Sequence, residues 1–396
     1  MIKIGIRHNL IYPSLLSISN FARNIEVIFM SQSIKFNGLY TIIMFFSEFI
    51  SGLIFYLYNI VFNSKKNKTT KIWGINLIQY KKKLHFCGQL KLYIYIFLTA
   101  LFDFLDFTLK TLYLPGLEKN MSYISESLYL RLNIVLTLFA AFFCYFLLKI
   151  PLYKHQKCSL IILVFCFLLV LITEYLVLII NFNESNNLTT FTYSLLFRII
   201  SQLFFSFQDT IEKYLFKYKF VNPYHLVMIE GIFGILLSMV GFLFKNPLTD
   251  TKESYKNYDK KYEFIILLII YALIYFLLSG IKNIYRVLTN DIYNPATKNL
   301  IDVIFHPILI IIYFYKNDFK IRDKKQRIIY FIFNLIISIV MVISCCIYNE
   351  LLVLFCCGLE YNTHREISNR ASFSEEKDEL KLFDNDDNYN DEENDN

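Results

Sequence analysis

The residues whose chemistry stands out in this sequence are ionisable side chains placed within long apolar stretches. Glu48 lies between Phe46 and Phe49 near the centre of one stretch, and Glu230 lies about two turns into another. Because an ionisable group at bilayer depth is costly unless it is paired or hydrated, both are functional candidates. The alternative is a buried carboxylate that pairs with Arg131 or Arg198 and locks helices together.

Other ionisable residues recur on single faces of further apolar stretches. On a helix that turns about 100° per residue, four side chains of one stretch fall within about 80° of one another. They are Arg198, Gln202, Asp209 and Glu212. Two similar stripes consist of Asp103, Asp106 and Lys110, and of Lys298, Asp302 and His306. Each such face is expected to line a cavity or a charged seam.

A purely structural interpretation stays open for some of these residues. Asp209 and Glu212 lie near the predicted end of their stretch, where they could reach water, and Lys110 and Lys298 could extend their ammonium groups to the interface. The six histidines are scattered without an H-x-x-H or H-E-x-x-H pair, and no glycine-rich phosphate loop is present. We therefore expect no metal, no cofactor and no enzymatic activity.

The elements that must position these side chains are membrane-spanning helices. The chain is 56% hydrophobic with a mean hydropathy of +0.43, which is more apolar surface than a soluble core absorbs. Backbone groups in hydrocarbon must bond internally, and a barrel would show shorter alternating segments. The sequence thus predicts an all-α polytopic membrane protein with nine to ten transmembrane helices. Nine stretches are long enough to cross about 30 Å of hydrocarbon: 39–62, 92–114, 124–148, 158–180, 191–212, 224–244, 263–281, 296–315 and 328–348.

The two ends of the chain differ from this pattern. Residues 1–38 include an apolar part that carries Asn20, Arg23 and Glu26, which indicates a degenerate first helix or an interfacial helix. Residues 39–180 hold the first-half helices and residues 191–355 the second-half helices. Residues 356–396 form a tail that is acidic and expected to be disordered from about residue 374.

The charges of the loops predict an orientation. The lysine-rich loop after the first stretch belongs in the cytosol by the positive-inside rule, and alternation then makes the C-terminus cytosolic. The loop from Lys316 to Arg327 conflicts with this scheme. It holds six basic residues and two acidic ones, yet alternation places it on the non-cytosolic side. Either the rule fails there or one stretch is miscounted.

Glu48 and Glu230 also have similar surroundings, MFFSEFISG and VMIEGIFG, each with a glycine four residues after the glutamate. Five predicted helices separate the two glutamates, and an odd number of crossings inverts the second copy. Two inverted five-helix repeats around a site near the midplane are the plan of many alternating-access transporters. Chance similarity in a chain rich in Phe and Ile is the alternative.

Several segments, in their order along the chain, resemble the drug/metabolite transporter superfamily and, within it, the eukaryotic solute carriers of the nucleotide-sugar transporter branch. MFFSEF, which contains Glu48, is similar to a stretch in that family's second helix. ALFDFLDFTLKTLYLPGL is similar to the family's third-helix motif and has Asp103 at the aspartate position. SESLYLRLNIVLTLFAAFFCYFLLKIPLYKHQ resembles its fourth helix, with Arg131 at the arginine position.

In the second half, QDTIEKYLFKY followed by PYHLVMIEGIFG resembles the family motif that spans helices six and seven, which places Gln208, Glu212 and Glu230 on family positions. CCIYNELLVLFCCGLEYNT resembles the end of the tenth helix. The chain departs from the family where Ser47 replaces a usual glycine and Lys213 replaces a second glutamate. The resemblance covers roughly residues 39–365.

The resemblance implies a carrier that exchanges or co-transports a small organic solute across an endomembrane (Golgi, endosomal or vacuolar) rather than the plasma membrane. Arg131 and Arg198 would suit an anionic solute, because a guanidinium group binds phosphate or carboxylate with two parallel hydrogen bonds. The candidate substrate-binding or coupling residues are Glu48, Asp103, Arg131, Arg198, Gln208, Glu212, Glu230 and Asp302. The expected partners are the solute and the lipid bilayer, with no nucleic acid, and a homodimer stays open. A channel or a non-transporting scaffold is the alternative function.

Overall fold

The computed structural model is dominated by α-helices. It describes residues 2–4, 11–30, 37–63, 86–110, 128, 131–181, 185–244, 255–256, 258, 260–315, 323–354, 359 and 363. The helices are α1 (Ile11–Met30), α2 (Asn37–Asn63), α3 (Phe86–Thr108), α4 (Asn133–Phe146), α5 (Lys154–Asn181), α6 (Ser185–Lys219), α7 (Pro223–Phe244), α8 (Lys261–Ile292), α9 (Pro295–Ile301), α10 (His306–Tyr315) and α11 (Lys324–Tyr348). The predicted tail from residue 374 and the basic loop 64–85 lie outside the described residues.

Six of these helices, with α9 and α10 taken as one, are long and apolar enough to cross a membrane. They are α2, α5, α7, α8, α9–α10 and α11. Their outward faces carry many exposed large apolar side chains, such as Ile161, Leu273 and Ile329, which is the surface that lipid would cover. The prediction of a multi-pass α-helical membrane protein is confirmed at this level.

Several helices differ from the stretches expected from hydropathy. α1 is a regular helix of 20 residues packed against α8 and α9, and it is not among the helices that are long and apolar enough to cross a membrane. α6 continues to Lys219 and α8 continues to Ile292, beyond the predicted ends at 212 and 281. In each case polar residues lower the local hydropathy of the sequence. The backbone nevertheless stays helical there, because these polar side chains find partners on neighbouring helices.

α2 and α7 cross at very close range, and glycines make this approach possible. A methyl group added at Gly52 would lie 2.6 Å from the backbone nitrogen of Met228, and one at Gly231 would lie 2.8 Å from the Cα atom of Phe49. Gly234 in turn faces the ring of Phe45. Residues that come later in α2 face residues that come earlier in α7. The two helices are therefore antiparallel at the crossing.

Other helix pairs surround this crossing. α1 packs on α8, α3 on α6, α2 on α8 and α3 on α7. Farther from the crossing, α5 packs on α11 and α4 packs on α6 and α9. Ser159 and Ser344 join α5 to α11 through reciprocal hydrogen bonds, each hydroxyl donating to the other residue's carbonyl oxygen at 2.8 and 2.9 Å.

The stretch predicted as one helix over 296–315 is broken between α9 and α10. Residues 302–305 form turns in which the amides of Val303 and Ile304 donate to carbonyls three residues back. Pro307 is the second residue of α10, and it has no N–H group to donate to the carbonyl four residues back, so the hydrogen bonds of α9 do not continue into α10. At the ends of the described chain, strand β1 (Ile2–Ile4) pairs antiparallel with strand β2 (Leu352–Leu354).

Candidate functional site

A polar cavity of about 310 Å³ lies among α1, α2, α3, α4, α6, α8 and the α9–α10 break. Basic and acidic side chains alternate around it with aromatic rings, including Tyr40, Phe107 and Tyr275. The basic residues that line it are Arg23, Lys110, Arg198, Lys282 and Arg286, and the acidic ones are Asp103, Asp106 and Asp302. The lining is therefore formally positive by two charges when all eight groups are ionised.

Arg286 of the cavity lining also belongs to a set of buried ion pairs, which we call the charged floor: Asp209, Glu212, Arg286 and Lys298. Nη1 of Arg286 lies 2.6 Å from Glu212 and 3.2 Å from Asp209, and Nζ of Lys298 lies 2.6 Å from the other oxygen of Asp209. All four side chains are at most 3% exposed. Asp209 and Glu212 therefore do not reach water at a helix end, and Lys298 does not extend to the interface, contrary to the structural interpretation.

Polar groups of α6 and α8 complete the charged floor. The amide nitrogen of Asn290 donates to Glu212 at 3.0 Å, and that of Gln208 donates to the first oxygen of Glu212 at 3.2 Å. Lys213 donates to the backbone carbonyls of Asn290 and Asp291 at 3.0 and 2.7 Å. Lys213 thus satisfies carbonyls in the last turn of α8, where a cation also complements the helix dipole.

Glu48 and Glu230 lie beside the floor, on the two helices that cross. One oxygen of Glu48 accepts a hydrogen bond from Asn283 at 2.6 Å. Glu230 lies 3.7 Å from Nη2 of Arg286. The cation near these glutamates is thus Arg286, whereas the lock considered from the sequence invoked Arg131 or Arg198.

Elsewhere in the lining, Asp106 accepts hydrogen bonds from Lys110 and from Ser201, each at 2.5 Å. Lys110 is thus held by a carboxylate at the cavity wall. Arg198 donates to the amide oxygen of Asn133 at 2.8 Å. Asp103 and Asp302 line the cavity, and the Oδ1 atom of Asp302 has no hydrogen bond from the described residues.

Phe205 lies at the centre of the basic groups. The ammonium groups of Lys298 and Lys110 lie 4.4 and 5.1 Å from its ring centroid, and the guanidinium carbon of Arg286 lies 5.8 Å from it. Distances below about 6 Å are those of cation–π interactions. One aromatic ring therefore contacts three cations from α3, α8 and α9.

Arg131 does not line the cavity. It is fully buried against α5 and α11, where it donates to Glu174 at 2.7 Å, to the hydroxyl of Tyr330 at 2.8 Å and to Asn334. Tyr330 also donates to Glu174. The structure therefore places Arg131 in a separate interhelical cluster and brings the other seven predicted site residues together at the cavity or its floor.

Sequence reasoning missed Arg286, which forms more ion pairs than any other described residue, and its cavity-facing neighbours Lys282 and Asn283. All three lie beyond the predicted end of their apolar stretch at residue 281. The signal that could have found them is the spacing of Asn283, Arg286 and Asn290, which falls on one helical face. Arg23 of α1 was noted only as a reason to doubt that helix, although it lines the cavity.

His306 was predicted to continue the stripe of Lys298 and Asp302. It begins α10, is 1% exposed, and neither of its ring nitrogens has a hydrogen bond from the described residues. It is not among the residues that line the cavity. Within the described part of the chain, no group of three His, Cys, Asp or Glu side chains could hold a metal ion.

No protein-family model matches this chain, and a search of curated proteins finds no significant match. The functional argument therefore depends on the cavity and its residues.

Proposed function

We propose that the chain is a carrier that moves a small anionic organic solute across a membrane by alternating access, with nucleotide sugars and related metabolites as the first solutes to test. The observation that carries this proposal is the central cavity of about 310 Å³ with five basic and three acidic residues in its lining. Its volume falls in the range of pockets that bind small molecules. A lining of this composition attracts an anion from water and provides donors for it.

Two of the basic side chains favour an anion in particular. Lys282 and Arg23 line the cavity, and neither forms an ion pair within 4.0 Å with any described residue. Arg198 has the neutral amide of Asn133 as a partner. Lys282 and Arg23 are therefore available to a ligand, whereas Arg286, Lys298 and Lys110 are balanced by carboxylates.

The packing of the helices supports two inverted five-helix repeats, α1–α5 and α6–α11, with α9–α10 counted as one crossing. If α1 corresponds to α6, α2 to α7, α3 to α8, α4 to α9 and α5 to α11, the observed pair α1–α8 corresponds to α3–α6. Likewise α2–α8 corresponds to α3–α7, and α4–α6 to α1–α9. The pairs α2–α7, α4–α9 and α5–α11 each map onto themselves. Ten crossings, an even number, would leave both ends of the helical region on the same side of the membrane. This is compatible with the pairing of β1 and β2, which lie before the first helix and after the last.

Details of the α2–α7 crossing agree with the same relation. Gly52 and Gly234 each follow a buried glutamate by four residues, and each faces a residue two or three positions before the other glutamate. The broken segment between α9 and α10 lies at the cavity, and discontinuous helices are typical of transporter binding sites. Both halves thus contribute to one central site, as alternating access needs.

The proposal is tested by purifying the chain, reconstituting it in liposomes and measuring uptake of nucleotide sugars, nucleotides and organic acids. Saturable uptake that is stimulated by the same solute on the opposite side supports a carrier. Solute flux without saturation would indicate a channel. The absence of any solute flux from a folded, correctly inserted preparation would favour a scaffold.

A matched pair of variants connects any activity to the cavity. Lys282→Gln should raise the apparent KM about tenfold or more, because a charge-assisted hydrogen bond contributes roughly 1.5–3 kcal/mol. Lys261→Gln removes an equal charge at the exposed start of α8 and should leave the KM unchanged. Equal KM values for both variants would remove Lys282 from the binding site.

The same proposal places the protein in an endomembrane with its C-terminus in the cytosol and assigns no catalytic step to it. A fluorescent protein fused after residue 396 should be accessible to protease when only the plasma membrane is permeabilised. Protection of the fusion would reverse the proposed orientation.

A further inference from the structure

The buried groups around the charged floor do not balance in charge. Four carboxyl groups, those of Glu48, Asp209, Glu212 and Glu230, are each at most 1% exposed. Two cations, Arg286 and Lys298, are buried among them at 2% and 1% exposure. Because an unpaired charge in a low-dielectric interior is very costly, such groups are paired or neutralised. Two of the four carboxyl groups therefore lack a cation of their own.

The hydrogen bonds identify which carboxyl groups have the cations. Lys298 is bound to Asp209 at 2.6 Å, and Arg286 is bound to Glu212 at 2.6 Å through Nη1. Glu48 has no such cation but accepts a hydrogen bond from Asn283 at 2.6 Å. Glu230 is the least satisfied of the four, because neither of its oxygens receives a hydrogen bond from the described residues.

The surroundings of Glu230 suit a neutral carboxyl group. The charged groups that act on it from the helices around it are Glu212 of α6, Arg286 of α8 and Asp103 of α3, and Glu48 of α2 belongs to the same electrostatic cluster. Three of these four are acidic. Thr99 of α3 also faces Glu230, but its hydroxyl donates to the carbonyl of Ile96 at 2.7 Å.

Arg286 has a free position on the side of Glu230. Its Nη2 atom is buried, has no hydrogen bond from the described residues and lies 3.7 Å from an oxygen of Glu230. That separation exceeds a hydrogen bond by less than 1 Å. A small movement of α7 toward α8 would let Nη2 bind an ionised Glu230 while Nη1 remains on Glu212.

We propose that Glu230 carries a proton in this conformation and loses it to water during the transport cycle, so that the coupling ion of the carrier is a proton. On deprotonation the O–H bond breaks, the electron pair stays on the carboxylate, the proton passes to cavity water, and Nη2 of Arg286 binds the new carboxylate. This inference rests on the proposed carrier function for its role in transport, but the protonation of Glu230 can be tested without any solute.

Infrared spectroscopy of the purified protein in lipid nanodiscs detects protonated carboxyl groups through their C=O stretching band. The wild type should show this band at neutral pH, and Glu230→Gln should reduce its amplitude. Glu48→Gln should leave the Glu230 contribution in place. Glu263→Gln, which removes an exposed carboxyl group, should change nothing. Glu230→Asp keeps a carboxyl group at the same position and should retain a band at shifted frequency.

Loss of the band in Glu48→Gln with no change in Glu230→Gln would overturn the proposal. So would a Glu230→Gln spectrum equal to that of the wild type. Because the spectrum of Glu230→Asp is compared with that of Glu230→Gln, a general loss of fold is distinguished from a loss of the proton.

Coupling itself is tested in proteoliposomes with UDP-glucose, UDP-N-acetylglucosamine and GDP-mannose as separate probes. An imposed pH gradient should accelerate net uptake of a transported probe by the wild type and by Glu263→Gln, and should have no effect on Glu230→Gln. The ratio of gradient-driven uptake to exchange at equal pH should therefore fall in Glu230→Gln relative to the wild type. Gradient-driven uptake by Glu230→Gln would overturn the coupling role. Failure of exchange in the wild type with all probes would instead count against the carrier proposal and leave the infrared result standing.

Discussion

Removing the Arg286 side-chain charge should be one of the most destabilising single changes in the described part of the chain. Arg286 is 3% exposed in its side chain and lies within 4.0 Å of three carboxyl groups, those of Asp209, Glu212 and Glu230. Asp209 keeps Lys298 when Arg286 is replaced, but Glu212 keeps only the neutral donors Asn290 and Gln208. One buried carboxylate therefore loses its cation outright.

Breaking a buried ion pair in this way costs about 3–5 kcal/mol, because the remaining charge is left without compensation. Arg286→Met, which preserves most of the side-chain volume, should therefore lower the free energy of unfolding by that amount. A loss of 3 kcal/mol reduces the ratio of folded to unfolded protein by about a hundredfold or more. Lys260→Met is the matched control, since the Lys260–Glu263 pair is 72% and 52% exposed, and such exposed pairs contribute about 0–1 kcal/mol.

The free energies can be measured by reversible unfolding in mixed micelles with increasing denaturing detergent. Adding Glu212→Gln to Arg286→Met removes the uncompensated charge and should restore about 0.5–3 kcal/mol. If Arg286→Met were as stable as Lys260→Met, the ion pairs of the charged floor would contribute no net stability. If the double variant were no more stable than Arg286→Met, the cost would not come from the orphaned carboxylate.

Three further outcomes are expected. Gly231→Ala should prevent correct folding or sharply lower the midpoint of thermal unfolding, because its methyl group would lie 2.8 Å from the Cα atom of Phe49. The control variant Gly241→Ala should be tolerated, because its methyl group would meet a movable ring atom of Phe104 at 3.0 Å. Equal midpoints of the two variants would contradict the close crossing of α2 and α7. Arg131→Met should destabilise the protein by about 3–5 kcal/mol in unfolding titrations, because it breaks the buried pair with Glu174. It should leave the KM for any transported solute unchanged, since Arg131 lies outside the cavity. A raised KM would place Arg131 in the binding site. Ser344→Ala should cost about 0.5–1.5 kcal/mol in the same titrations by removing the hydrogen bond that its hydroxyl donates to the carbonyl of Ser159, and no loss of stability would show that this bond has no net value.

Hydropathy predicted the class of fold and most of the helices, because the lipid-facing surfaces of α2, α5, α7 and α11 are continuous apolar stretches. It failed where helices carry the polar residues of the cavity. Asn20 and Arg23 made α1 look marginal, and both line the cavity. Arg286 fell outside the predicted stretch for the same reason. The residues that build a polar site thus reduce the signal by which their helices are recognised.

The structure brings together the four residues of α6 that helical periodicity put on one face, since Arg198 and Gln202 line the cavity and Asp209 and Glu212 belong to the charged floor. Helical periodicity gives the direction in which side chains point but not what they meet. The partner of Asp209 is Lys298, 89 residues later in the chain. Likewise Arg131 has its charge partner Glu174 on α5, so its burial away from the cavity follows from packing that one helix does not encode.

The position of Phe205 among Lys110, Arg286 and Lys298 has a consequence for how the cavity holds its positive charge. The faces of a benzene ring have negative electrostatic potential, because its quadrupole places electron density above and below the plane. Such a ring partly offsets the mutual repulsion of the three cations. Because it carries no net negative charge, it does not neutralise them as a carboxylate would. The ring itself has no ionisable proton, so the attraction that it exerts lasts as long as the three basic groups stay charged.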